Sequence, residues 1–295
     1  MVSSTSGTVP VNAQDETVLP RPPESMRPFR MEVITAMGEG TCADLGSGVV
    51  IEWLVDAERG ARNLSTGIVT CAVGGVLDWH RHHFHESVTL LDGAADLHLR
   101  DRTFRLDQLD NLVIPPGVEH RLANPSPDAP ARLHVTYPTA WPTSSPGWRP
   151  DTTFALNLSS QVTQPAARHT PYATAHRYAA AHNAKFINHF NADLMSGMTM
   201  CGGYGLFQPG GRLPAHLHDF DESICIVQGT ANCRVEGREY LMADAATALQ
   251  PRGRVHYFIN ETDAPMAMVW VYAGPTTART VVDERCATEL GYAWR

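Results

Sequence analysis

The chain has 295 residues, 43% of them apolar and 18% charged, with 31 Asp and Glu against 23 Lys and Arg. A net charge of −8 without a Lys/Arg cluster argues against nucleic acid or an anionic membrane as partner, and no apolar run is long enough to span a bilayer. Two ordinary-sized domains that bind a small molecule are the expectation.

Residues 1–28 are rich in Ser, Pro and Gly and lack the basic start and apolar stretch of a secretory signal. They read as a disordered leader on a cytoplasmic protein. The six cysteines, Cys42, Cys71, Cys201, Cys225, Cys233 and Cys286, are irregularly spaced with no C-x-x-C, so reduced thiols are expected. From residue 29 to 137, short segments such as GIVTCAV, ESVTLLDG, ADLHLR, NLVIPPG and ARLHVTYP read as strands. They are β-branched or aromatic and are separated by Gly, Pro or Asp turns. Residues 138–172, rich in Pro, Ser and Thr, read as a linker. The alanines of ATAHRYAAAHNAKF, just after it, predict a short helix. A second set of strands fills 173–285, and 286–295 form a tail.

The second set copies the first. HRHHFHESVTLLDG, from His80 to Gly93, returns as HLHDFDESICIVQG, from His216 to Gly229, and the register holds without a gap as far as Asn124 and Asn260. Twelve of these 45 aligned positions are identical, mostly His, Glu, Gly, Pro and Asn. Beyond them DAPARLHVTY answers DAPMAMVWVY with a one-residue slip. A doubled all-β unit follows, as sandwich or barrel.

On a strand, residues i and i+2 share a face, so His80 and His82 can grip one ion, and Glu86 has the same parity. His120, aimed by the turn in PPGVEH, supplies the fourth donor. Three imidazoles and a carboxylate suit a divalent transition metal and leave positions open for substrate. His216, His218, Glu222 and His256 repeat the set. Arg212 and Arg121 are candidate carboxylate anchors. His83 and His85, or Asp219 and Asp221 in their places, are candidate general bases, and Trp79, Phe84, Phe220 and Tyr257 are candidate pocket walls.

The paired segments resemble the two conserved motifs of the cupin superfamily. The first is G-x5-H-x-H-x3-E-x6-G, matched from Gly74 to Gly93 and from Gly210 to Gly229; the second is P-x-G-x2-H-x3-N. The resemblance implies a bicupin: an all-β chain of two tandem jelly-roll barrels, each able to hold a metal. Leu109 and Ala245 replace the glycine that usually opens the second motif, which puts that turn in question. The leading expectation is a dioxygenase acting on a small oxygenated or aromatic organic acid. Fe(II) is its first-choice ion, ahead of Mn, Ni, Cu or Zn. The alternatives are a redox-neutral decarboxylase, lyase, hydrolase or isomerase, and a binding module without turnover. A homodimer is the expected assembly. The Arg of PGGRLPAH and Tyr257 favour the second copy as the one that turns over.

Overall fold

The computed structural model describes residues 16–141 and 166–295. Two antiparallel barrels account for nearly all of it. The first is built from two sheets. One runs in the spatial order Arg168–Thr170, Asn111–Ile114, Glu86–Asp92, Ala131–Tyr137, Ser65–Cys71, Val49–Val55 and Thr41–Gly46. The other holds Val76–His80, His120–Ala123, Ala95–Leu99 and Thr103–Leu106. In Ala95–Leu99 the apolar residues Ala95, Leu97 and Leu99 are buried and Asp96 and His98 are not, as the two-residue period of a half-solvated sheet requires. Glu86–Asp92 is buried on both faces instead, because its outer side lies against the second barrel.

That inter-barrel seam is apolar at its ends and polar in the middle. Leu54 and Ile68 pack on Cys225 and Ala245, and Leu64 and Val113 on Phe190, Met198 and Val271. Between them the Thr66 and Ser223 hydroxyls meet at 2.9 Å. His134 and His189, one from each barrel, are also buried close to one another.

Each half lends a strand to the other. Val33–Thr35 pairs with Thr247–Gln250 of the second barrel, and Arg168–Thr170 pairs with Asn111–Ile114 of the first. The boundaries drawn from sequence at 29 and 172 therefore need correction: three-residue edge strands carry too little pattern to announce which sheet they cap. The leader is corrected too. Within residues 16–28, Leu19 bonds across to Val281 and Asp283, and Glu16 pairs with Arg279 at 2.7 Å. Gly253 has φ +81°, and any side chain there would collide with the Met26 carbonyl, so the strap lies directly on the second barrel. The rest of the predicted leader, 1–15, and most of the predicted linker, 142–165, fall outside the described residues.

The predicted helix in ATAHRYAAAHNAKF is a strand, Tyr178–Phe190, paired with Cys201–Arg212. Alanine propensity is overridden because Phe186 turns into the barrel core while Ile187 is buried on the opposite side. Gly203 on the partner strand is obligatory, since a Cβ there would sit 1.9 Å from the Ile187 carbonyl. The 286–295 tail is not loose: Cys286, Ala287 and Ala293 are buried with Leu217, Val255 and Tyr257. Leu109 and Ala245 keep the turn that glycine usually makes, at φ 67° and 63°, at a cost of about 1–2 kcal/mol each.

Candidate metal centres

Strand register brings the predicted donors together. His80 ends one strand and lies opposite His120, which begins the next, while Glu86 opens the strand that follows the HHFH turn. His216 and His256 pair in the same way. In each barrel the ligating atoms of the four residues lie within 4.8 Å of one another: His80, His82, Glu86 and His120 in the first, His216, His218, Glu222 and His256 in the second. All eight are buried.

The donor chemistry fits a divalent metal. In the first barrel the Nδ1 of His80 and His120 lie 2.7 and 3.0 Å from the Asp78 and Val118 carbonyls. In the second, the Nδ1 of His216, His218 and His256 meet the carbonyls of Pro214, Ala278 and Arg254 at 2.8, 2.8 and 2.9 Å. A carbonyl only accepts, so each of these five rings carries its proton on Nδ1 and leaves the Nε2 lone pair for a ligand. Those lone pairs converge. His120 Nε2 and His82 Nε2 stand 2.8 and 3.5 Å from the same oxygen, Glu86 Oε2, yet none of the three atoms makes a well-aligned hydrogen bond. His256 and His218 face Glu222 Oε2 at 2.7 and 3.5 Å with the same lack. Buried polar atoms left orphaned around one point are what an ion would satisfy.

Charge states agree at four of the donors, whereas the Glu222 carboxylate raises His256 against its burial. Burial, helped by the neighbouring imidazoles, pushes His80 down to about 3, and burial pushes His218 down to about 4. These rings are neutral at pH 7. Burial by itself would raise Glu86 and Glu222, but the adjacent histidines outweigh it and hold both carboxyls low. Neutral imidazole and ionised carboxylate are the ligating forms. Phe84 stacks on His82 at 5.1 Å and Phe220 on His218 at 5.3 Å, roofing each cluster.

The ligands and their Phe and Tyr neighbours are matched between the barrels; the rest of the wall is not. A cavity of about 140 Å³ opens onto the first cluster, walled by residues that include Val69, Leu77, Leu97, Leu122, Leu133 and Val135. At the repeat-related positions the second barrel has Phe258 for Leu122, Met268 for Leu133 and Trp270 for Val135, all packed in its core. Gly205 replaces Val69, but Phe186 and Phe207 occupy the room it leaves. These three wall positions therefore carry bulkier side chains in the second barrel than in the first.

The other sequence candidates are placed elsewhere. Arg212 grips Glu284 with two hydrogen bonds of 2.9 and 2.7 Å and lies over the Tyr257 ring. Tyr257 is fully buried under the C-terminal segment, and its hydroxyl donates to Glu284 and accepts from Arg234. Both face outward from the second cluster, because Tyr257 is one residue out of phase with His256. Asp219 is exposed and paired with Arg252 at 2.6 Å. Asp221 is a tie between barrels, accepting the backbone N–H of Arg62 at 2.7 Å and of Arg252 at 2.9 Å. Arg121 points away from the cluster, opposite His98. His85 is buried and His83 exposed, and Trp79 carries Arg100 on its face at 4.7 Å.

Sequence reading passed over Tyr137, whose hydroxyl donates to Glu86 Oε1 at 2.9 Å. Its signal was available, since both copies end this strand in Tyr, and Tyr272 likewise lies beside Glu222 and helps hold its carboxyl low. Tyr137→Phe is expected to lower metal affinity at the first cluster by about 10–100-fold while leaving the packed ring and the fold in place. A metal titration returning the wild-type affinity would show that the hydroxyl does not orient Glu86.

Residues 67–137 and 203–272 both match the cupin domain family. No curated protein matches the chain. Among solved structures, the formate complex of Lactobacillus farciminis oxalate decarboxylase is similar, with TM-score 0.66 and 14% identity over 88% of this chain and 91% of that one. A mutant of Bacillus subtilis oxalate decarboxylase aligns with TM-score 0.65 and 14% identity over 88% of this chain and 82% of that one. Another structure of the Bacillus subtilis enzyme, with the same TM-score of 0.65 and 14% identity, concerns its Mn(II) centres. Identity this low carries the fold alone. With both motifs, both barrels and both four-residue clusters in place, the chain belongs to the cupin superfamily, as a bicupin.

Proposed function

We propose that the protein is a metal-dependent, redox-neutral decarboxylase of a small organic acid, working in the first barrel with Mn(II). The observation that carries this reading is the apolar cavity that opens onto His80, His82, Glu86 and His120. A carboxylate moved there from water loses its hydration, whereas the transition state spreads the same charge towards neutral CO2, so an apolar wall favours loss of CO2. The bond from carbon to the carboxyl breaks, CO2 leaves, and the electron pair left on carbon takes a proton from solvent at the mouth. No oxidant is needed. A bound divalent ion supplies the positive charge that polarises the acid.

The chain's own residues do the rest. Three imidazoles and Glu86 fix the ion's position, Tyr137 orients the carboxylate, and Phe84 and the aliphatic wall exclude water. The likeness to oxalate decarboxylases and their Mn(II) centres supports this reading over the dioxygenase with Fe(II) expected from sequence. The bulkier wall residues of the second barrel, Phe258, Met268 and Trp270, support a structural role for its ion. Assayed with a panel of small acids, the Mn(II)-loaded protein is expected to release CO2 equally in air and in an anaerobic chamber. Consumption of one dioxygen per substrate would overturn the reading in favour of an oxygenase.

A further inference from the structure

The shape and charge of the first cavity say more about the acid, on the footing of the decarboxylase reading above. We infer that it takes a monocarboxylic acid with a compact apolar body, and discriminates against dicarboxylates. Volume sets the first limit. A cavity of about 140 Å³ holds on the order of ten water-sized groups, which restricts the ligand to a small acid.

The wall sets the second limit, and strand geometry dictates it. Side chains two residues apart on a strand share a face, so each strand that turns a ligand inward must turn its i+2 neighbours inward as well. Leu122 follows His120 in this way, Val88 follows Glu86, and Leu133 and Val135 precede Tyr137. All of them are aliphatic. An acid whose carboxyl reaches the metal cluster therefore places its remaining atoms against Leu and Val.

Charge sets the third. Three neutral imidazoles, one carboxylate and a divalent ion leave a single net positive charge, which one substrate carboxylate neutralises. A second carboxylate would find no Lys or Arg among the described residues of the wall, and the one further acidic group there, Asp78, repels it. Burying an uncompensated charge under those conditions is strongly disfavoured. Leu122 is then a specificity-determining residue, and Phe258 at the same place in the second barrel shows the bulk that closes the space.

Calorimetric titration of the Mn(II)-loaded protein with isobutyrate, malonate and oxalate tests this. Isobutyrate is expected to bind at least about tenfold more tightly than either dicarboxylate. Leu122→Phe is expected to weaken isobutyrate by more than about tenfold, with bound Mn(II) and melting temperature held at wild-type values. Leu122→Arg, checked for fold by the same two measurements, is expected to turn the preference towards malonate. Equal or tighter binding of malonate or oxalate by the wild type overturns the inference, as does unchanged isobutyrate binding in a folded Leu122→Phe protein. The two proposals fail separately. Isobutyrate binding as stated with no CO2 from any acid removes the decarboxylase and leaves the pocket assignment. CO2 from dicarboxylates alone does the reverse.

Discussion

His80→Ala is expected to remove one of two bound divalent ions and to cut turnover by about a thousandfold or more. Loss of the metal's charge at the reacting carboxyl is worth several kcal/mol, and each 1.4 kcal/mol is about a factor of ten in rate. His216→Ala is expected to remove the other ion with turnover kept within about tenfold, because Phe258, Met268 and Trp270 crowd the wall where the first barrel has Leu122, Leu133 and Val135. Its effect should fall on stability. An ion held at about a hundred times its dissociation constant stabilises by roughly 2.7 kcal/mol, which corresponds to about 4–5 °C in melting temperature for a protein of this size. Elemental analysis, turnover and thermal melts on the two variants check both halves. Full activity in His80→Ala with loss in His216→Ala would reverse the assignment of the barrels.

Acid is expected to loosen the seam between the barrels through His189 and His134. His189 is 1% exposed, and neither ring nitrogen has a hydrogen-bond partner. The charged groups that reach it are His134, Arg168 and Asp110, the last already engaged by His169 at 3.1 Å. Burial lowers His189 to about 3 and His134 to about 4, from 6.5. The folded pKa is thus below the unfolded one, so between pH 6.5 and about 4 the unfolded chain takes up protons that the folded chain refuses. The stability is fully present above pH 6.5 and drains away as pH falls. From pH 7 to pH 5 each histidine contributes a loss of about 2 kcal/mol. Urea unfolding of His189→Leu at the two pH values should therefore show a smaller acid penalty than the wild type by about that amount. An identical pH dependence would place the acid sensitivity elsewhere.

Much of the candidate site is legible in the amino-acid sequence, and for a physical reason. Metal ligation restricts residue type and strand parity together, so His-x-His, Glu86 and His120 form a pattern that survives in linear sequence, and its repetition at His216 removes coincidence. The residues that surround the ligands obey no such joint restriction. Tyr257 resembles a site residue because it adjoins His256 in sequence, but a one-residue phase difference on a strand turns its side chain to the other face. Arg212 has the parity of His216 but ends the preceding strand, Cys201–Arg212, and pairs with Glu284 instead. Tyr137, far along the chain, reaches Glu86 because the strands Ala131–Tyr137 and Glu86–Asp92 are hydrogen-bonded neighbours.

The all-β class, the doubling and the eight donors can be read from the linear chain, since these rest on local spacing and on a period of two. The crossing of Val33–Thr35 and Arg168–Thr170 to the opposite barrels cannot, nor can the strand formed by an alanine-rich segment. The same holds for the cavity that opens onto the first cluster, whose wall is assembled from several strands. Those outcomes depend on edge pairing and on the summed volumes of side chains contributed by many strands. Leu122, Leu133 and Val135 line a cavity, and Phe258, Met268 and Trp270 pack into a core, only once the strands that carry them face each other across a barrel.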